Sequence, residues 1–421
     1  PDGFGPLQPD PNGVLDLPEG FSYQIISRAG DPMDDGFVVS ARADGMAAFQ
    51  GPNGQTLIVR NHEISDGAPA EEGPFGANNH LFAKVDSDFI YDEGHDGVPC
   101  LGGTTTLVYD TQAQQLVGQH LSLVGTVRNC AGGPTSWNTW ITCEETTVRA
   151  GGACAHDHGF PFEVPASATP GLARPVPLKD MGRFNHEAVA LDPASGIVYQ
   201  TEDAHDGLIY RYLPDVPGQL ARGGRLQALC AADAHSLDTR NWGDGPEIAT
   251  GTVLATRWVD LDDVLAPEDD LRLRGFEQGA ARFARGEGMW QADGTIYFAC
   301  TNGGAERKGQ IWRYTPGEHE GNPYAPSGTL ELFVEPNDGS LVENADNLTV
   351  SPWGDLIVCE DGSGDQFLVG VTPEGELYKF AHNAVSDSEF AGATFSPDGS
   401  TLFVNIQVAG LTLAITGPWK A

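Results

Sequence analysis

The sequence has 421 residues, of which 59 are acidic and 23 are basic, so its formal net charge is −36 at pH 7. A chain this acidic is a poor candidate for binding nucleic acid or an anionic membrane surface, because Lys and Arg bind phosphates. No stretch contains the roughly 20 apolar residues of a membrane span. The 54 glycines and 29 prolines favour many short strands joined by turns over a helical fold.

Six segments share one pattern, in which two short apolar runs flank a turn of Pro, Asp, Asn or Gly. The pattern predicts a β-hairpin, and six hairpins in an all-β chain predict a six-bladed β-propeller. We expect one domain over residues 1–421, with long insertions between blades near 64–105, 146–180 and 215–280. We also expect a short helix at 259–265 and terminal segments that meet to close the ring. In chain order, the six segments are 44–63, 130–145, 187–203, 287–302, 346–361 and 392–407.

The hairpins also predict where functional side chains converge. The innermost strand of a blade lines the central channel and its neighbour runs antiparallel, so the start of the first strand and the end of the second share one mouth. The residues at strand starts are Asp44, Cys130, Glu187, Glu287 and Asp346. The polar residues at strand ends are Asn61 to Glu63, Glu144, Glu202, Asn302, Glu360 and Asn405, and Asp203 and Asp361 lie beside two of them.

Two such rings of mostly acidic groups predict bound metal. Clustered carboxylates repel one another unless a cation or proton compensates their charge. Oxygen ligands favour Ca²⁺ or Mg²⁺, whereas a thiolate at Cys130 favours a transition metal. The structural alternatives are that the acids bond backbone amides at strand ends and that Cys130 is a core thiol. Arg285 lies two residues from Glu287 on an extended strand, where it either binds a tetrahedral anion or pairs with a neighbouring acid.

The other cysteines and two histidines carry weaker predictions. Cys100 and Cys154 lie in polar, Gly-rich loops and could form a disulfide in an exported protein. His156 and His158 could bind metal, but we expect them to lie on a solvated loop. Four cysteines lie in or beside apolar runs and predict core thiols, namely Cys143, Cys230, Cys300 and Cys359.

An ordered set of motifs resembles the PhoX-type alkaline phosphatases, a family of exported bacterial metalloenzymes. The resemblance covers nearly the whole chain. Its motifs are Asp44-Gly-Met, Arg60-Asn-His-Glu63, Asn129-Cys-Ala-Gly-Gly133, Thr142-Cys-Glu-Glu145, Phe184-Asn-His-Glu187, Arg285-Gly-Glu-Gly288, Ala345-Asp-Asn347, Cys359-Glu-Asp361 and Phe395-Ser-Pro-Asp-Gly399.

The resemblance implies a six-bladed propeller whose channel mouth holds Fe³⁺ and Ca²⁺ ions and hydrolyses phosphate esters. It implies that Cys130 binds iron, that Arg285 binds phosphate, and that Glu187 and Glu287 are ligands beside the reacting group. It also implies a periplasmic or secreted protein, although no leader is present in this chain, and we expect a monomer that acts on small phosphorylated substrates. The hairpin pattern and the resemblance together predict ten metal ligands, namely Cys130, Glu63, Glu144, Glu187, Glu202, Asp203, Glu287, Asp346, Glu360 and Asp361.

Two other functions fit part of the pattern. A calcium-dependent lactonase on a six-bladed propeller needs few acids and no thiolate, so Cys130 and Arg285 argue against it. A non-catalytic binding propeller would use the acids only to hold structural calcium. Metal analysis separates the three functions, because iron with calcium supports the phosphatase and calcium alone supports the others.

Overall fold

The computed structural model describes residues 3–421, and nearly all of its regular elements are β-strands. Short runs rich in β-branched and aromatic residues form the strands, and Gly, Pro, Asn and Asp form the turns between them. The first half of the strands are β1 (Leu7–Gln8), β2 (Leu15–Pro18), β3 (Ser22–Arg28), β4 (Ala43–Gln50), β5 (Gln55–His62), β6 (Gly102–Asp110), β7 (Gln115–Thr126), β8 (Asn129–Pro134), β9 (Thr139–Glu144), β10 (Pro161–Pro165), β11 (His186–Leu191), β12 (Val198–Glu202) and β13 (Ile209–Pro214). The second half are β14 (Gly224–Ala231), β15 (Val253–Asp260), β16 (Gly286–Ala292), β17 (Thr295–Cys300), β18 (Gln310–Thr315), β19 (Thr329–Val334), β20 (Ala345–Val350), β21 (Leu356–Glu360), β22 (Phe367–Val371), β23 (Leu377–Asn383), β24 (Phe390–Phe395), β25 (Leu402–Ile406) and β26 (Leu411–Thr416).

Helical structure is sparse. Within residues 3–421 the α-helix α1 (Leu271–Glu277) is the one α-helix, and no helix there has the length and apolar character needed to cross a bilayer. The helix expected at 259–265 is wrong, because the start of that segment belongs to β15, which is paired on both sides, and cross-strand pairing outweighs a weak local helix preference. The 3₁₀ turns are Pro52–Gly54, Ala70–Glu72, Ala77–Asn79, Phe82–Lys84, Ser87–Phe89, Lys179–Met181 and Leu220–Arg222.

All six predicted hairpins are present as antiparallel pairs. They are β4–β5, β8–β9, β11–β12, β16–β17, β20–β21 and β24–β25. The first strands contact one another in a closed cyclic order, β4, β8, β11, β16, β20 and β24, with β24 again touching β4. The chain is therefore all-β with a propeller-like arrangement.

The hydrogen-bonded sheets differ from six separate blades. Residues 3–421 form five sheets, with the strand orders β4-β5-β6-β7, β10-β9-β8, β11-β12-β13-β14-β15-β19-β18-β17-β16, β1-β2-β23-β22-β21-β20 and β24-β25-β26-β3. The nine-stranded sheet arises because β15 pairs with β14 on one side and with β19 on the other. Two groups of four strands that each start at the channel are thereby merged at their outer edges.

The N-terminal strands complete two sheets that are otherwise built from the C-terminal part of the chain. β3 pairs with β26, and β2 pairs with β23. The terminal segments therefore meet, as the sequence predicts, and backbone hydrogen bonds hold the ring closed.

Apolar side chains fill the space between neighbouring sheets, and the long insertions pack on the outside. Trp312 and Phe298 are fully buried together with Tyr199, which comes from the neighbouring group of strands. Insertion 64–105 packs Phe75 and Ile90 against β7. Insertion 146–180 contributes β10, and insertion 215–280 contributes β14, β15 and α1.

Candidate active site

A β-bulge interrupts each of the six inner hairpins at the channel mouth. In the first hairpin the register shifts between Ala43 and Met46, which leaves Asp44 in the bulge. A bulge bends its strand and re-aims a side chain, so each hairpin directs one residue towards the mouth. The bulged positions are occupied by Asp44, Cys130, Glu187, Glu287, Asp346 and Gly392.

Glycine allows the inner strands to approach one another at these bulges. A Cβ atom on Gly45 would lie 2.6 Å from the Cα atom of Ala131, and one on Gly288 would lie 2.7 Å from that of Asn347. Both distances are shorter than real Cβ atoms allow. The glycines that follow Asp44 and Glu287 therefore let neighbouring acids converge on one site.

A recurring backbone hydrogen bond fixes the other ring of side chains. In all six hairpins, the residue after the second strand donates its N–H to the carbonyl oxygen of the residue just before the bulged strand. The donor and acceptor pairs are Glu63 and Arg42, Glu145 and Arg128, Asp203 and Asn185, Thr301 and Arg285, Asp361 and Asn344, and Gln407 and Glu389. Four of these six donor residues are acids, and each of the four lines the mouth.

The mouth is an open pocket of about 350 Å³. Cys130 Sγ lies 3.2 Å from Glu187 Oε1 and 3.8 Å from Asp44 Oδ2. Candidate ligand atoms form four overlapping sets, and the atoms within each set lie within 4.8 Å of one another. The sets are Asp44–Glu63–Cys130, Cys130–Glu145–Glu187, Glu187–Glu287–Asp346 and Asp346–Asp361–Glu389.

Seven of the ten predicted metal ligands belong to this pocket or its overlapping sets, and three do not. The three exceptions are Glu144, Glu202 and Glu360, which are buried and point away from the mouth. Successive residues on a strand face opposite sides, so each exception immediately precedes an acid that does face the mouth. The seven that converge are Cys130, Glu63, Glu187, Asp203, Glu287, Asp346 and Asp361.

Backbone and side-chain donors satisfy the three acids that point away. Glu202 Oε1 accepts hydrogen bonds from Leu208 N and the Tyr210 hydroxyl. Glu360 accepts bonds from two backbone amides in the same way, and Glu144 accepts from three. These three acids therefore bond backbone amides near the strand ends, which is the structural alternative to binding metal.

Sequence reasoning missed four residues of the site. Glu145 follows the predicted Glu144, and only the register of the strand end distinguishes the two. Glu389 lies outside every motif and reaches the mouth through the fold. Gln407 Nε2 donates to Asp44 Oδ2 at 2.6 Å and to Glu63 Oε2 at 2.8 Å. The fourth missed residue is Arg128, discussed next.

Two arginines occupy equivalent places in the ring, each between two acids. Arg128 Nη2 lies 3.0 Å from Glu63 Oε1 and 3.1 Å from Glu145 Oε1. Arg285 Nε and Nη2 bond the two oxygens of Asp203 at 2.7 and 2.9 Å, and Nη2 bonds Glu287 Oε1 at 2.9 Å.

Both arginines have left-handed backbones, with φ of 51° at Arg128 and 55° at Arg285. This conformation costs a non-glycine residue of the order of 1 kcal/mol. It is maintained by the surrounding hairpins, and it lies directly beside the candidate site.

Burial and mutual repulsion raise the pKa of the acids at the mouth. Desolvation, followed by neighbouring carboxylates, raises the pKa of Asp346 to about 7 and that of Glu145 to about 8. The pKa values of Asp44, Glu187 and Glu287 are raised for the same reasons. Carboxyl groups with raised pKa values keep protons that a cation can replace.

The chemistry of the donors fits bound metal. Glu187 Oε2 is buried and has no hydrogen-bond partner in the described part of the chain. Burial and the adjacent acids raise the pKa of the Cys130 thiol, so the sulfur keeps its proton in the metal-free protein. The thiol would lose this proton on binding a metal ion. A thiol and several buried carboxylates in overlapping sets offer sites in which neighbouring ions share ligands.

Comparisons with known proteins agree with this arrangement. The family model described as alkaline phosphatase PhoX matches residues 2–410. Among solved structures, PhoX of Pseudomonas fluorescens in complex with vanadate, described as a transition state analogue, has 17% identity and a TM-score of 0.69, with 96% of each chain covered. A gluconolactonase from Xanthomonas campestris has 12% identity and a TM-score of 0.44, with 98% of each chain covered. A search of curated protein sequences found no match. Because the family model covers nearly the whole chain, this protein belongs to the PhoX alkaline phosphatases, which hydrolyse phosphate esters in a metal-dependent reaction.

Proposed function

We propose that the protein hydrolyses phosphate monoesters at the channel mouth with Fe³⁺ and Ca²⁺ as its metal ions. The observation that carries this proposal is that Cys130 belongs to two sets of ligand atoms, each with one buried and one half-buried carboxylate. A thiolate among carboxylates suits iron, whereas the all-oxygen set Asp346–Asp361–Glu389 suits Ca²⁺. We assign Glu187 and Glu287 as ligands beside the reacting group, because Glu187 belongs to two of the overlapping sets and Glu287 shares one of them with it.

We also propose that residues 1–421 act as a single six-bladed propeller and that the protein works outside the cytoplasm as a monomer. The six bulged hairpins around one axis support the blade count, even though β15 merges two of the outer edges. Export is usual in the family that the sequence resembles, and acidic exteriors suit a protein that stays soluble.

Arg285 supplies the phosphate contact in this proposal. When bound, metal ions polarise phosphoryl oxygens and offset the charge of the transition state. Asp203 fixes the guanidinium of Arg285 in a two-point contact. Within residues 3–421, Arg285 Nη1 makes no hydrogen bond to protein. This nitrogen is therefore free to donate to a non-bridging phosphate oxygen, and the contact strengthens as negative charge develops.

Elemental analysis together with substrate profiling tests the proposal. We expect iron and calcium in the purified protein and faster hydrolysis of p-nitrophenyl phosphate than of bis(p-nitrophenyl) phosphate. Inorganic phosphate should inhibit the reaction, and a simple lactone should not be hydrolysed. Calcium without iron, together with no phosphomonoesterase activity in the metal-loaded protein, would contradict the proposal.

A further inference from the structure

A second cluster of metal-ligand side chains lies outside the mouth, where insertion 64–105 meets insertion 146–180. It comprises Asp92, Cys100, Cys154 and His158, and all four residues are buried. One ligand atom from each lies within 4.8 Å of the other three. None of the four lines the mouth pocket. Cys100, Cys154 and His158, which the sequence places in polar loops, therefore meet in the protein interior.

The separation of the two sulfur atoms fits a shared metal ion. Cys100 Sγ and Cys154 Sγ lie 3.8 Å apart, whereas a disulfide needs about 2.05 Å. Two thiolates bound to a tetrahedral zinc ion at about 2.3 Å each are separated by about 3.8 Å. The two thiols thus already have the spacing of a zinc site.

His158 has the environment of a metal-binding histidine. Its Nε2 lies 2.8 Å from Asp92 Oδ2, on the side of the cluster, and its Nδ1 lies 2.5 Å from Glu144 Oε2. A histidine that binds a metal through one ring nitrogen usually donates from the other nitrogen to a carboxylate, which fixes the ring. Glu144 can perform that role because its oxygens also accept hydrogen bonds from the amides of Val127 and Gly159.

Asp92 is also held in place by the backbone of both insertions. Its oxygens accept hydrogen bonds from the amide of Gly94 in one insertion and from the amides of Ala155 and His156 in the other. The fully buried carboxylate therefore has a fixed orientation before any ion binds. Such support is what a preformed metal site requires.

We propose that Asp92, Cys100, Cys154 and His158 bind one structural Zn²⁺ ion that joins the two insertions. Four protein ligands of mixed nitrogen, oxygen and sulfur type fill a tetrahedral shell, so no position remains for a substrate. Binding releases the two thiol protons and replaces the proton shared by His158 and Asp92. The backbone amides around Asp92 and Glu144 offset the remaining negative charge.

Metal analysis of the full chain, purified without chelator and supplied with zinc and iron, tests this site. We expect about one zinc ion per chain by native mass spectrometry and elemental analysis. Cys154→Ser should lose the zinc, whereas Cys230→Ser, which changes another buried cysteine, should keep it. Cys130→Ser should also keep the zinc, so a failure of the proposed mouth chemistry leaves this result readable.

Two measurements keep the test decisive if Cys154→Ser does not fold. A mercurial thiol reagent added to the wild-type protein should release zinc to a chromophoric chelator as the thiols react. His158→Gln should weaken zinc retention at least tenfold, because loss of a residue that only orients a ligand typically costs about 10-fold to 100-fold in affinity, and His158 is itself a ligand. Full zinc retention in both variants would overturn the proposal. So would a zinc-free wild-type chain that, denatured without reductant, shows two fewer thiols than its seven cysteines supply, because Cys100 and Cys154 then form a disulfide.

Discussion

Cys130 Sγ lies 3.2 Å from Glu187 Oε1, and the two residues occupy equivalent bulges of neighbouring inner hairpins. The thiol is a donor to a carboxylate in a buried, acid-rich site. A bound cation would take the place of that proton, and its charge would offset both the cost of burying the thiolate and the repulsion from neighbouring carboxylates that raises the pKa of Glu187.

Cys130→Ser should therefore lose iron together with any visible absorption that arises from a thiolate ligand. Iron content by elemental analysis and the absorption spectrum of the purified variant check this. Cys359→Ser provides the matched control, because Cys359 is also buried but lies in the apolar core. Full iron retention in Cys130→Ser would return Cys130 to the role of a core thiol.

Arg285→Ala should leave the metal content intact and lower turnover by about two to three orders of magnitude, because it removes a charge contact to the transition state. Inhibition by inorganic phosphate should weaken in parallel. Arg42→Ala is the control, since Arg42 lines the same pocket but pairs with Glu72 at the surface. Wild-type turnover and wild-type phosphate inhibition in Arg285→Ala would leave Arg285 as an ion-pair partner of Asp203 and Glu287 only.

Neighbouring acids at one strand end should respond differently to substitution. Asp361→Asn should lower the calcium content with little effect on folding, because Asp361 faces the mouth. Glu360→Gln should instead cost about 1–3 kcal/mol of folding free energy, since one of its two backbone amide donors loses its acceptor. Elemental analysis and denaturant unfolding separate the two effects. Equal changes of calcium content and folding free energy in the two variants would mean that Asp361 and Glu360 do not have separate metal-binding and structural roles.

Removing the metal ions should make folding stability depend on pH. The pKa values of Asp346 and Glu145 are raised to about 7 and about 8 in the folded metal-free state. Between about pH 4 and pH 8 the folded state therefore binds more protons than the unfolded state, so its stability falls as the pH rises. Thermal unfolding of chelator-treated protein should show a higher Tm near pH 5 than near pH 8.

The metal-loaded protein should lack this fall, because cations replace the protons. Elemental analysis must first confirm that the chelator has removed the ions. A Tm of the metal-free protein that does not decrease between these pH values would argue against the electrostatic strain at the mouth.

Much of the site could be predicted from sequence because the hairpin pattern repeats. The starts of the first strands follow directly from the pattern, so Asp44 and Glu287 fall at the mouth as expected. The ends of the second strands do not, because a shift of one residue moves a side chain to the opposite face. Nothing in the local sequence distinguishes Glu144 from Glu145, and the bulge and backbone pairing decide between them.

Other features depend on long-range contacts that no local pattern records. Glu389 lies outside the motifs and is brought to Asp346 by the closed ring of first strands. The merged nine-stranded sheet depends on β15, whose two partners lie on either side of it in sequence. His158 lies in a polar segment typical of a surface loop, yet the meeting of two insertions buries it completely.

Ring closure has a consequence for when the protein can acquire its metals. Asp44 receives its hydrogen bond from Gln407, and β3 is held by β26. The mouth is therefore incomplete until the ribosome has made β26. Metal loading must follow the synthesis of that strand, and any transport step that requires an unfolded chain must come before metal loading.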